Sequence, residues 1–110
     1  REYRPWGYHE LLFQNHVFQV RRVVIRPGEM IATQRHHLRT EHWVVVSGEA
    51  TVQLDDQEIV LQANESCYVS KGKMHKIANF SKHLLEFIEV QVGDCIKCDD
   101  VERVEGDQRG

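Results

Sequence analysis

Three absences narrow the function of this sequence before any motif is read: there is no basic excess, no long apolar run and no paired set of cysteines. Lysine and arginine number 14 against 17 aspartates and glutamates, giving a formal charge of −3 and a pI near 6.2. A nucleic-acid-binding surface needs the opposite balance. The longest apolar stretches, such as Trp43–Val46, are strand-sized, far below the roughly 20 residues of a helical membrane span, and the polar start Arg1–Arg4 carries no signal-peptide pattern. Three cysteines do not make a disulfide framework and fit a reducing cytoplasm. Cys95 and Cys98 form a Cys-x-x-Cys pair without a second pair and read as free thiols; Cys67, mid-strand, reads as a small buried hydrophobe.

What the sequence does have is β-strand signal. With 110 residues, 41% hydrophobic and 28% charged, it has room for one domain around one core. A β-branched run over 17–25 closes at Pro27-Gly28, and His42–Ser47 ends at Gly48. Ala50–Leu54 and Glu58–Leu61 flank a short hairpin connection at Asp55-Asp56-Gln57. Ser66–Val69, His75–Ala78 and a long closing strand, Leu84–Val92, follow. On that last strand Phe87, Glu89 and Gln91 share one face, and Glu86, Ile88 and Val90 the other. No convincing helix appears, so the expected fold class is all-β, an antiparallel sandwich or barrel. The expected division is one domain over 1–110, with an N-terminal arm over about 1–16, a barrel over 17–93 and a tail over 94–110, charged and with one helical turn at most. The chain opens without an initiator methionine and reads as either a separate protein or a domain excised from a longer one.

The chemistry is concentrated at 28–48 and 64–79. Gln34 and His36, one residue apart on a strand, place both side chains on the same face. Glu41 returns from the turn Leu38-Arg39-Thr40 on the next strand, and His75 comes from a distant hairpin to close the site from the other side. An amide oxygen, two imidazoles and a carboxylate suit one divalent metal ion, zinc first, with manganese, iron, cobalt or nickel as alternatives. Polar residues lining a metal-free pocket are the other reading of the same four positions. His37 and His42 neighbour the ligands and have equal claims to solvent and to the site, because adjacent strand residues point to opposite faces. Trp6 and Trp43 read as core or interface residues before sugar-stacking ones.

These segments resemble the two motifs of the cupin family, a small jelly-roll β-barrel. Gln34 stands where a histidine is usual in the first motif, and Asn64 and Ser70 stand for a glycine and a proline in the second. More closely, the chain is similar to the C-terminal domain of type II mannose-6-phosphate isomerases, often fused behind a mannose-1-phosphate guanylyltransferase. The stretches carrying this are Arg4-Pro5-Trp6-Gly7, the run Gln34-Arg35-His36-His37-Leu38-Arg39-Thr40-Glu41-His42-Trp43, Asn64-Glu65-Ser66, Ile88–Gly93 and Asp99–Arg103.

The resemblance implies a cupin barrel with a short C-terminal extension, and an enzyme interconverting mannose 6-phosphate and fructose 6-phosphate for GDP-mannose and polysaccharide precursor synthesis. A base must move a proton between C1 and C2 through an enediol; the candidates are Glu89, His37 and His42. A cation must hold the phosphate. Arg39, which matches the family's arginine in Arg-x-Glu-His, is the first choice, with Lys71 and Lys73 behind it. The expected partners are a phosphorylated sugar, a second copy of the chain in a homodimer, and a guanylyltransferase domain on the same or another chain; the expected location is the cytoplasm, with no nucleic acid and no membrane. The alternatives are a metal- and sugar-binding cupin module without catalysis, and a small-molecule cupin oxygenase, whose usual three histidines Gln34 disfavours.

Overall fold

Every apolar run bounded by turn residues in this sequence becomes a strand. A computed structural model describes residues 1–36, 39–93 and 101–103, with side chains described for all of these except 33–36 and 101–103. The strands are β1 (Glu2–Arg4), β2 (Gly7–Gln14), β3 (Phe18–Ile25), β4 (Met30–His36), β5 (Arg39–Ser47), β6 (Ala50–Leu54), β7 (Gln57–Leu61), β8 (Ser66–Val69), β9 (Met74–Ala78), β10 (Leu85–Gly93) and β11 (Val101–Arg103). No helix occurs among the described residues, and none is long and apolar enough to cross a membrane.

The strands form two antiparallel sheets. One has the order β1-β2-β3-β10-β5-β8, the other β11-β4-β9-β6-β7. The long closing strand β10 is central: it pairs with β3 through Glu89↔Arg21 and with β5 through Glu89↔Trp43 and Gln91↔Glu41.

Two expectations change here. The segment expected as an N-terminal arm is two strands built into the larger sheet, β2 pairing along nearly the whole of β3. The alternation of β2 is broken by a bulge between Leu11 and Phe13, which is why its sequence does not read as a strand. In the tail, the described residues form β11, paired to β4, not a helical turn.

Alternation along the strands sends one face inward. Val23 and Ile25 of β3, Val45 of β5, Val52 of β6, Ile77 of β9, and Leu85 and Phe87 of β10 form the core between the sheets, with Trp6 and Trp43 also buried in it. Each such side chain contributes about 1.5–3 kcal/mol by leaving water. Cys67 is half-buried against this core, and burial pushes its thiol up to about 11. Further along the same strands the inward residues turn polar: Gln19 and Arg21 on β3, Glu41 on β5, His75 on β9, Glu89 and Gln91 on β10. Apolar packing thus fills one end of the barrel, and polar side chains line the other.

The connections follow turn chemistry. Gly48 turns the chain between β5 and β6 at φ +90°, and a Cβ there would lie 2.5 Å from the carbonyl oxygen of Leu84. Asn64, in the place of a glycine, takes φ +73°, a conformation that asparagine tolerates better than most residues.

Candidate functional site

Glu41 is 2% exposed, and its carboxylate is held from two sides. The Trp43 indole, two residues along β5 and so on the same face, donates from Nε1 to Oε1 at 2.9 Å. The Arg39 guanidinium lies 3.6 Å from Oε2. His75 is buried, packed edge-on against Trp43 with ring centroids 5.5 Å apart. Its Nδ1 lies 3.2 Å from the carbonyl oxygen of Lys73. A neutral imidazole that donates from Nδ1 presents an unprotonated Nε2, the tautomer suited to metal ligation.

His75 arrives differently from the sequence expectation. Its strand β9 is the immediate neighbour of β4, and the backbone places His75 in register with Gln34. It therefore does not come from across the barrel; of the candidate ligands, Glu41 is the one on the other sheet. Gln34 and His36 share β4, separated by one residue as expected, but their side chains lie outside the description, as does His37 altogether. Among the described residues no group of three or more His, Cys, Asp or Glu comes together. The described half of the donor set nevertheless fits a divalent ion: a buried carboxylate oriented by an indole and a buried imidazole with its tautomer selected.

Beside Glu41 lies a second buried carboxylate, Glu89, 5% exposed. Three hydrogen bonds converge on its Oε1: Arg21 donates from Nε and Nη2 at 2.7 Å each, and the Gln91 amide donates at 2.6 Å. Gln91 is itself oriented by Gln19 (2.8 Å), and Gln19 by Gln14 (2.6 Å). The amide chain runs with its donors toward Glu89. Burial, opposed by Arg21 and reinforced by Glu41, raises the Glu89 pKa well above the ordinary carboxylate range.

Glu89, whose direction the sequence left open between the two faces of its strand, points inward, whereas His42 is on the outer face, exposed and packed on Tyr68 at 4.6 Å between ring centroids. That removes His42 from the candidates for a base. Arg39 is half-buried at Glu41, and Lys71 is exposed on the turn between β8 and β9. Arg21 is the polar residue that sequence reasoning missed. It is 68 residues from Glu89, so only the β3–β10 pairing brings the two together. The odd note was a cation in the middle of the β-branched run. Cys95 and Cys98 lie outside the described residues.

Two packed antiparallel sheets with a polar inner end are the architecture of the cupins, and solved structures of that class superpose well. A double-stranded β-helix protein from Klebsiella pneumoniae matches 96% of this chain and 90% of its own with TM-score 0.81 at 20% identity. The cupin domain of Cnp3 from Schizosaccharomyces pombe matches 78% and 64% with TM-score 0.76 at 15% identity. Within that class the sequence is specific: the family profile described as mannose-6-phosphate isomerase C-terminal matches residues 1–106, and the chain belongs to that family. It is 44% identical over 103 residues to the alginate biosynthesis protein AlgA of Pseudomonas aeruginosa, covering 94% of this chain and 21% of the relative. It is 39% identical over 106 residues to a mannose-1-phosphate guanylyltransferase of Sinorhizobium fredii, covering 96% and 21%. The chain spans about a fifth of the length of these relatives.

Proposed function

We propose that this domain is a metal-dependent aldose–ketose isomerase acting on mannose 6-phosphate and fructose 6-phosphate, and that in the cell it supplies sugar phosphate to a guanylyltransferase domain on the same or another chain. The observation carrying this reading is Glu89, a buried carboxylate with raised proton affinity held beside Glu41.

In the isomerisation the C2–H bond breaks, and Glu89 takes that proton as the electron pair forms the C1–C2 double bond of an enediol, while O1 gains a proton. Glu89 then returns its proton to C1 as O2 loses one and becomes the ketone. A base for this step needs a pKa near neutrality, which burial gives Glu89. Gln34, His36, Glu41 and His75 would hold one divalent ion, zinc first, which when bound polarises the C1 and C2 oxygens. Arg39, lying at Glu41, adds a fixed positive charge at that same end.

The test is turnover. Metal-replete protein should interconvert the two hexose phosphates and lose that activity on chelation, and Glu89→Gln should abolish it while leaving sugar binding intact. Binding without turnover in metal-replete protein would overturn the isomerase reading in favour of a non-catalytic module.

A further inference from the structure

We propose that the groove over the β1–β2–β3 edge of the larger sheet is an anionic subsite, reached from Glu89 through Arg21, with Arg21 binding the phosphoryl group of the sugar phosphate; the inference rests on the isomerase reading for the identity of the ligand. The groove has a volume of about 510 Å³, and its walls include His9, Leu11, Gln19 and Arg21.

Arg21 is placed to serve two partners. Its Nε and Nη2 are spent on Glu89, while Nη1 has no protein partner among the described residues. The side chain is 24% exposed, and it lines the groove. A planar guanidinium that holds a carboxylate on one edge can meet a phosphoryl oxygen with another.

Two acidic residues, Glu2 and Glu10, also border the groove. Each already has a cation: Glu2 accepts from Arg4 at 2.8 Å, and Glu10 accepts from Arg22 at 2.6 Å, an arginine it shares with Glu86, with Arg1 3.7 Å away as a second cation.

The spacing across the sheet agrees with a six-carbon ligand. Glu41, Glu89 and Arg21 lie on β5, β10 and β3, three consecutive strands, so the outer two are roughly 10 Å apart in backbone position. A carbonyl end at Glu41, a reacting C–H at Glu89 and a phosphate at Arg21 follow the order of groups along an open-chain hexose 6-phosphate. Arg39, at the Glu41 end, stands too close to the carbonyl end for a group on C6, and Lys71 is on an exposed turn.

The experiment is calorimetric titration of the metal-replete protein with fructose 6-phosphate, fructose and inorganic phosphate, using the wild type, Arg21→Gln and Leu11→Glu. Leu11 is 55% exposed and in register with Arg21, so Leu11→Glu sets a carboxylate opposite Arg21, where it competes with a phosphoryl group, and keeps the test valid if Arg21→Gln fails to fold. Both substitutions should weaken fructose 6-phosphate and phosphate binding at least tenfold and leave the weak binding of fructose unchanged. Phosphate binding that Leu11→Glu weakens, in a protein without turnover, would sustain the subsite and defeat the isomerase reading. Turnover whose KM neither substitution changes would defeat the subsite and sustain that reading. Absence of phosphate and fructose 6-phosphate binding in the wild type overturns the subsite outright.

Discussion

The indole nitrogen of Trp43 donates to the carboxylate of Glu41, two residues earlier on the same strand, at 2.9 Å. One side chain thus performs two tasks: its ring fills the core against Phe87, at 5.9 Å between centroids, and its N–H orients a candidate ligand. Trp43→Phe should lose the orienting bond and leave a small cavity beside Phe87 and His75. Outer-sphere partners of this kind typically contribute 10–100-fold in metal affinity, so the substituted protein should unfold at a lower midpoint, by about 1–3 kcal/mol, and, while folded, bind zinc about 10–100-fold more weakly in competition with a chromogenic chelator.

Asn79 is completely buried and donates to the carbonyl oxygens of Ile25 (2.9 Å) and His83 (2.7 Å), while its oxygen accepts from the Ser81 amide and hydroxyl. It fastens the loop after β9 to the end of β3. Asn79→Leu would remove the side-chain donor to the buried Ile25 carbonyl and leave the His83 carbonyl with only the Ser81 hydroxyl at 3.2 Å, and denaturant unfolding should show a loss of about 1–3 kcal/mol.

Gly48 and Gly28 both have positive φ, +90° and +80°, but differ in surroundings. An added Cβ at Gly48 meets the Leu84 carbonyl, whereas at Gly28 nothing lies within 4 Å. Gly28→Ala should cost only the left-handed backbone strain, about 1 kcal/mol. Gly48→Ala adds a backbone clash and should cost at least twice as much in the same unfolding assay.

His9 stacks on Trp6, and burial, aided by the positive charge of Arg21, lowers its pKa from 6.5 to about 4. Its native form is the neutral one, so between these pH values the unfolded chain binds more protons. Stability should be fully present above about pH 6.5 and fall as pH drops toward 4, by about 1–2 kcal/mol after solvent screening. His9→Gln should flatten that part of the stability–pH curve; an unchanged slope would show that His9 is not its source.

The strands of the core were legible because β-branched residues and turn residues alternate in blocks: Phe18–Ile25, Arg39–Ser47 and Leu85–Gly93 match the runs that announce them to within a few residues. Alternation put Glu89 on one face with Phe87 and Gln91, but Ile88 and Val90 on the other left its inward direction for the structure to decide. What local pattern does not carry is pairing. Nothing in the neighbourhood of Arg21 says that it meets Glu89, and nothing near His75 says that its strand lies beside that of Gln34. The bulge in β2 hid a strand, because one inserted residue destroys the period on which strand recognition rests. Alternation says only that Glu41 and His42 face opposite ways; the burial of Glu41 and the exposure of His42 show which of the two meets water.

The position of β10 has a kinetic consequence. It lies between β3 and β5, strands made well before it, so the larger sheet stays in two pieces until this late segment is inserted. Such non-local closure is slow, on the order of milliseconds to seconds. The inserted strand carries both Glu89 and Gln91. The polar inner end, with the candidate base in it, is therefore completed only when β10 enters, and a chain arrested before that step would keep most of its strand sequence while lacking those interior side chains.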